Sequence, residues 1–163
     1  MYRVSRNVEA SLIDFITEQL QADGWQGVRT EKVFANVYNG QFPCILVNII
    51  NVIPIRKEVG NYETLKRYLV AFRIFTEDDG QRLDLSDWLL EQLEPGIDYY
   101  TYTTKLAGKK KVVDSKTIAG RIDIRRFIEN KKELENIQNL ATEDKHRHLI
   151  TVEMEVSFLP QDC

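Results

Sequence analysis

The sequence predicts a single α/β domain. Three observations point there: a stripe of apolar residues at helical spacing near the start, several β-rich runs, and a well-punctuated helix set among those runs. At 163 residues and 43% hydrophobic content, the chain can enclose one core of ordinary size. Charged residues make up 29%, a normal solvated surface and an argument against wholesale disorder. The formal net charge of −3 weighs against a protein whose main work is coating nucleic acid, while leaving room for a local basic patch.

The first element reads as a helix over residues 8–22. Val8, Leu12, Phe15, Ile16 and Leu20 recur at spacings of three and four. Ser5 or Asn7 is placed to cap its start, and Gly24 follows where a left-handed residue ends a helix. Trp25 then packs back or faces a partner. Three strands are expected next, over 28–38, 44–55 and 66–76. The first ends in the turn signal Asn39-Gly40, and Pro43 stands at the mouth of the second, where its missing N–H harms no central ladder. The third puts Tyr68, Val70, Phe72 and Ile74 on one face. Residues 56–63, polar and containing Gly60-Asn61, read as the tip of the hairpin between the last two strands.

The acidic run from Glu77 to Gly80 is expected to end the third strand, with a short helix starting at Asp84. As cap, Asp84 would accept from the N–H of Asp87, and Leu83 and Trp88 would form a hydrophobic staple. Pro95-Gly96 stops the helix, and residues 97–106 are strand-like, with Tyr99, Tyr100 and Tyr102 among threonines. From 107 to 144 the pattern weakens and behaves like an insertion in a regular fold. Within it Lys109, Lys110, Lys111 and Lys116 form a basic loop or ribbon, residues 118–128 suit a strand or a helix, and 131–140 read as a short helix. The last strand is clear: Ile150, Val152, Met154, Val156 and Phe158 alternate with polar residues, and Pro160 closes it.

No apolar run approaches the roughly 20 residues of a membrane-spanning helix, and the first residues lack the apolar core of a signal peptide. Cys44 in an apolar run and Cys163 at the end read as a buried thiol and a terminal thiol rather than a disulfide. The chain is therefore expected to be intracellular when made.

Candidate chemistry is thin. His146 and His148 share a strand face and could offer two ligands, but a zinc site uses three or four, so a polar strand entrance is the simpler reading. Glu77, Asp78, Asp79, Asp84 and Asp87 could hold Mg²⁺, yet each has a simpler task as turn former or helix cap. No nucleophile elbow or phosphate-binding glycine loop occurs. No catalytic residue, cofactor site or metal site is assigned, and an enzyme is the disfavoured class. The lysine run reads either as a solvated loop or as an electrostatic contact with an acidic partner or with phosphates. The tyrosines suit core and cross-strand packing better than base stacking.

Several stretches carry a resemblance. A helix over 8–22 leads to a strand opening with Phe42-Pro43-Cys44-Ile45. A long strand runs through Ile74-Phe75-Thr76 and the acidic turn into Leu83-Asp84-Leu85-Ser86-Asp87-Trp88, and Arg147-His148-Leu149-Ile150 opens the final strand. Together these resemble the tail terminator (tail-completion) proteins of long-tailed bacteriophages, over most of the chain except 107–144. The resemblance implies a mixed, mostly antiparallel sheet with helices packed on one side. It implies copies closed into a ring, commonly six-fold, that caps the tail tube, ends its polymerisation and joins it to the head connector. Expected partners are further copies of the chain, the tail tube protein and the head connector or neck protein. DNA enters only as cargo through the channel, and no membrane is involved. Assembly in the host cytoplasm and residence in the virion follow. A ring needs a head-to-tail interface. The hairpin tip (Arg56, Lys57, Glu58) and the lysine loop (Lys109, Lys110, Lys111) are expected to supply it, being charged, exposed by pattern and set between strong strands. A neck or connector ring is the nearest alternative, and a small nucleic-acid-binding module using residues 99–111 is the one from another class.

Overall fold

A computed structural model of the chain describes residues 3–32, 43–56, 64–133 and 147–159. The elements in order are α1 (Val4–Ala22), β1 (Arg29–Glu31), β2 (Cys44–Arg56), β3 (Thr64–Phe75), α2 (Asp79–Leu93), β4 (Ile97–Ala107), β5 (Lys110–Lys132) and β6 (Arg147–Phe158). The strands form one sheet in the order β1-β2-β3-β6-β5-β4. Only the β1–β2 pair is parallel. The fold is α+β: a mixed, mostly antiparallel sheet curled into a half-barrel, with both helices on one side.

Register explains the core. Tyr68 stands opposite Met154, Val70 opposite Val152 and Phe72 opposite Ile150, while Val47 continues the row from Phe72 and Ile122 from Val156. Cross-strand partners share a face, so one face of β2, β3, β6 and β5 becomes a continuous apolar floor. On it lie Val8, Leu12, Ile16 and Leu20 of α1 and Leu85, Trp88, Leu89 and Leu93 of α2, all buried in one cluster. A second small cluster, Cys44, Leu46 and Phe75, lies apart from it, and the Arg147 guanidinium sits 5.0 Å from the Phe75 ring centre.

Several boundaries differ from expectation, each for a local reason. α1 starts at Val4, because that buried residue adds one more turn to the apolar stripe. Its N-cap is Arg3, without a side-chain cap bond. Ser5 and Asn7 lie inside the helix and reach the sheet instead: Ser5 Oγ is 3.3 Å from the Tyr68 hydroxyl, and Asn7 Nδ2 donates to the Tyr99 hydroxyl at 3.3 Å. The other end agrees: Gly24 takes the left-handed conformation (φ 77°), and Trp25 turns back to meet Trp88 edge-on at 6.2 Å.

Of the strand expected over 28–38 the described residues show Arg29–Glu31 as strand, and 33–42 lie outside them. α2 begins at Asp79, five residues before Asp84. The cap is Asp78, whose carboxylate accepts from the Gln81 N–H at 2.7 Å, while Gln81 accepts from the Glu77 N–H at 3.3 Å. This is a capping box displaced by one residue. Leu83 and Trp88 are thus both helical and make no staple: Leu83 points outward and Trp88 is buried. β6 begins at Arg147, in the stretch expected to open the final strand. Residues 131 and 132, expected to open a helix, extend β5, where Lys131 pairs with Leu149 and Lys132 with His148. The remainder of that expected helix lies outside the described residues. Up to Lys132, the span read as an insertion supplies a strand that sits in the sheet between β6 and β4.

Candidate functional site

The chemistry-bearing residues gather at one end of the sheet, where β6 begins beside the first turn of α2. His148 is buried in β6. Its Nδ1 accepts from Arg82 Nη1 at 2.5 Å, which leaves the proton on Nε2, donated to the Asn130 side-chain oxygen. Burial, and then the Arg82 charge, push the His148 imidazole down to about 4. Arg82 Nε in turn donates to Asp79 at 2.9 Å, and Lys132 Nζ lies 3.5 Å from the same carboxylate. The Arg82 bond is the main reason the Asp79 carboxyl is held below the usual range. Both His148 nitrogens are therefore occupied and the ring is neutral, an arrangement that ties α2 to the sheet. His146 lies outside the described residues. The Cys44 thiol is pushed up to about 11 by burial, which suppresses its thiolate at neutral pH. Among the described residues no group of three or more His, Cys, Asp or Glu side chains is placed to hold a metal ion.

The sheet face that carries Arg67 and Glu155 is ionic. Glu155 on β6 accepts from Arg67 of β3 at 3.2 Å and from Arg125 of β5 at 2.7 Å; Glu153 meets Arg67 at 3.5 Å and Arg126 at 2.7 Å. Acids on the middle strand thus bridge bases on its two neighbours, closing the ladder sideways as well as along the backbone. At the end of that face Glu133 lies 2.7 Å from the buried Arg147 and 3.5 Å from Arg73.

The other distinctive feature is an arm. β6 follows β5 only as far as Gly120, with one further bond from the Leu159 N–H to the Ala119 carbonyl. Beyond that point β4 and β5 continue as a two-stranded ribbon to Ala107 and Lys110. Gly108, with φ 66°, makes the turn in the manner of a two-residue type II′ hairpin loop. α1 holds the ribbon at its base. The Tyr102 hydroxyl donates to Asp14 at 2.8 Å, Lys116 pairs with Glu18 at 2.6 Å, and the Lys116 ammonium lies 4.6 Å from the Tyr100 ring centre. Burial, with the Asp14 bond second, raises the Tyr102 phenol well above its ordinary value. At the junction, Gly120 passes so close to Ser157 that any Cβ would overlap that residue's backbone carbonyl.

Past residue 103 the arm supports itself. Thr103 and Ser115 share a hydroxyl contact at 2.5 Å, and Lys105 pairs with Asp114 at 2.6 Å. Leu106 is 71% exposed and Val113 58%. Leu106 stands opposite Lys111 and Thr104 opposite Val113, so these four share one face of the ribbon. The expected contact residues Lys109, Lys110 and Lys111 are therefore together at the tip, exposed, and among the described residues without an ion pair. Lys57 and Glu58 lie outside the described residues, as does the side chain of Arg56, whose backbone ends β2. Tyr99, Tyr100 and Tyr102 are packing residues: Tyr99 is buried in the core, and the other two lie against each other, ring centres 6.4 Å apart, beside α1. The sequence leaves this stretch as a basic loop or ribbon, and the structure makes it a ribbon. Its signal was Gly108-Lys109 flanked by β-branched residues on both sides.

Among the described residues no helix is long and apolar enough to cross a membrane. No protein-family model matches the chain, and no match was found among curated proteins.

Proposed function

We propose that this chain is a structural assembly protein whose copies close into a ring, and that the ring caps a phage tail tube, ends its polymerisation and joins it to the head connector. The observation that carries this reading is the arm. A ribbon that exposes Leu106 and Val113 beside three lysines without an ion pair among the described residues, and that is clamped by α1 at its base, is built to meet another surface. Left alone in water, a two-stranded hairpin has marginal stability, so its length and exposed apolar residues make sense when a partner covers it.

The stretches that carry the resemblance to tail terminator proteins also converge in space. Cys44 pairs with Phe75, Ile74 with His148, and Arg82 of the intervening helix bonds His148. Three of the stretches that carry the resemblance, far apart in sequence, thus meet at one corner of the fold. In this reading the protein works in the virion, with its own copies, the tube protein and the connector as partners, and without catalysis.

The test is to mix the purified protein with polymerising tail tube protein and follow tube length by negative-stain microscopy, with light scattering on the protein alone. Rings at tube ends and tubes of limited length are the expected result. Tubes that grow unhindered, with no density at their ends, would remove the terminator reading. Decoration of connector-bearing heads in place of tubes would assign the chain to the neck.

A further inference from the structure

The arm has an electrostatic complement on the same molecule that it does not touch. Asp84, Asp87, Glu91 and Glu94 recur at helical spacing along α2, forming one outward stripe. All four are exposed, and among the described residues none has an ion pair. The acids at the start of α2 are occupied by contrast: Asp78 caps the helix and Asp79 holds Arg82 and Lys132. Leu83, 47% exposed, lies one residue before the stripe begins and one turn before Asp87. On the arm the division is the same. Lys105 and Lys116 are paired, while among the described residues Lys109, Lys110 and Lys111 have no ion pair, and Lys111 shares its face with Leu106 and Val113.

We infer that the arm of one copy docks on the outer face of α2 of the next copy, its tip lysines against the carboxylate stripe and its exposed aliphatic residues over Leu83. This rests on the ring reading and names the contact that closes it. Two surfaces of opposite sign, both without an ion pair among the described residues and both carrying an apolar residue, lie on different parts of one chain. That is the requirement for a head-to-tail interface, which repeats from copy to copy until it closes. A second copy fits better than a nucleic acid. A polyanion would neutralise the tip but leave the acidic stripe unmatched, and the tip carries no aromatic side chain for base stacking.

The test uses two variants of the whole chain. K109S/K110S/K111S removes charge from the arm and leaves the helix intact; D84N/D87N/E91Q neutralises the helix and leaves the arm intact. Each alone should self-associate at least about tenfold more weakly than wild type by light scattering at low salt. Mixed in equal amounts, they retain one good contact, the arm of the second on the helix of the first. They should therefore form a one-to-one pair and nothing larger. Raising the salt to about 1 M, where the screening length is about 3 Å, should dissolve that pair. Circular dichroism of each variant establishes that α2 and the sheet are intact. Variants that assemble like wild type, or a mixture that stays monomeric, overturn the contact while leaving ring assembly standing. If wild type assembles only on tube ends, capping of tubes is the readout, and capping retained by either variant overturns the contact. Salt-sensitive binding of the arm to duplex DNA by wild-type monomers, with no self-association at about 1 mM or on tubes, overturns both the contact and the ring.

Discussion

The arm and the body of the sheet are made from the same kinds of residue, yet they differ in what covers them. In the body, Val70, Phe72 and Val152 have a strand on each side and a helix above, and are fully buried. In the arm, Thr104, Leu106, Val112 and Val113 have one neighbouring strand and, among the described residues, nothing above. Leu106 is exposed by more than two thirds. Burial in this fold therefore depends on the third strand and the helices rather than on local pattern. Where β6 stops, at the level of Gly120, the same β-rich chemistry changes from core to contact surface.

The sharpest break of that comparison is Phe72→Ala. Phe72 is fully buried under the helices, and its truncation should cost about 4 kcal/mol, read as a lowered midpoint in urea with an unchanged slope. A loss below about 1 kcal/mol would mean that the helices pack on the sheet far more loosely than described.

Next in size is a pH effect confined to the body. His148 has its proton affinity lowered from 6.5 to about 4 in the fold. The unfolded chain therefore takes up a proton first as the medium is acidified. This contribution to stability is complete above about pH 6.5 and is lost as pH falls towards 4, by at most about 3 kcal/mol. His148→Gln should flatten the fall over that window in urea titrations at successive pH values. An unchanged slope would show that other groups cause it.

The smallest stability effect should come from the arm. Leu106→Ser with Val113→Ser should shift the unfolding midpoint by no more than about 0.5 kcal/mol, because both side chains already face water. The same pair should reduce assembly on tubes. A large loss of stability with normal assembly would reverse the roles assigned to the two regions.

The regions also differ in how much their residues disclose. β6 was legible because its helix-facing residues are apolar and most residues between them are polar, and β3 because it is a long β-rich run, though Leu69, Ala71 and Phe75 make its other face apolar too. Gly24 and Pro95-Gly96 marked real helix ends. The start of α2 was not legible, since Asp78 and Asp84 are equally good caps by type. Gln81, three residues after Asp78, was the deciding signal, and Gly80 in the first turn hid it. β5 was obscured by its own geometry. Irregularities between Ile124 and Arg126 and between Phe127 and Glu129 shift which residues face the core. The arm beyond it is wet on both faces and has no alternation to read. Of the candidate site, Lys109, Lys110 and Lys111 were visible as a basic run, but the choice between a loop and a ribbon tip depended on the turn at Gly108, which was not read. The acidic stripe of α2 was hidden by placing the helix start five residues late.

β5 runs unbroken for 23 residues, from the turn of the arm to Lys132 beside the first turn of α2. Its ladder bonds to β6 lie across the strand direction. A pull on the tip along the strand therefore loads those bonds together, as shear, and the arginine–glutamate bridges over Glu153 and Glu155 are strained with them. Peeling would break the bonds one at a time; shear must break many at once. If copies are linked through their arms, a ring under tension opens at the seams between copies before any one copy unravels.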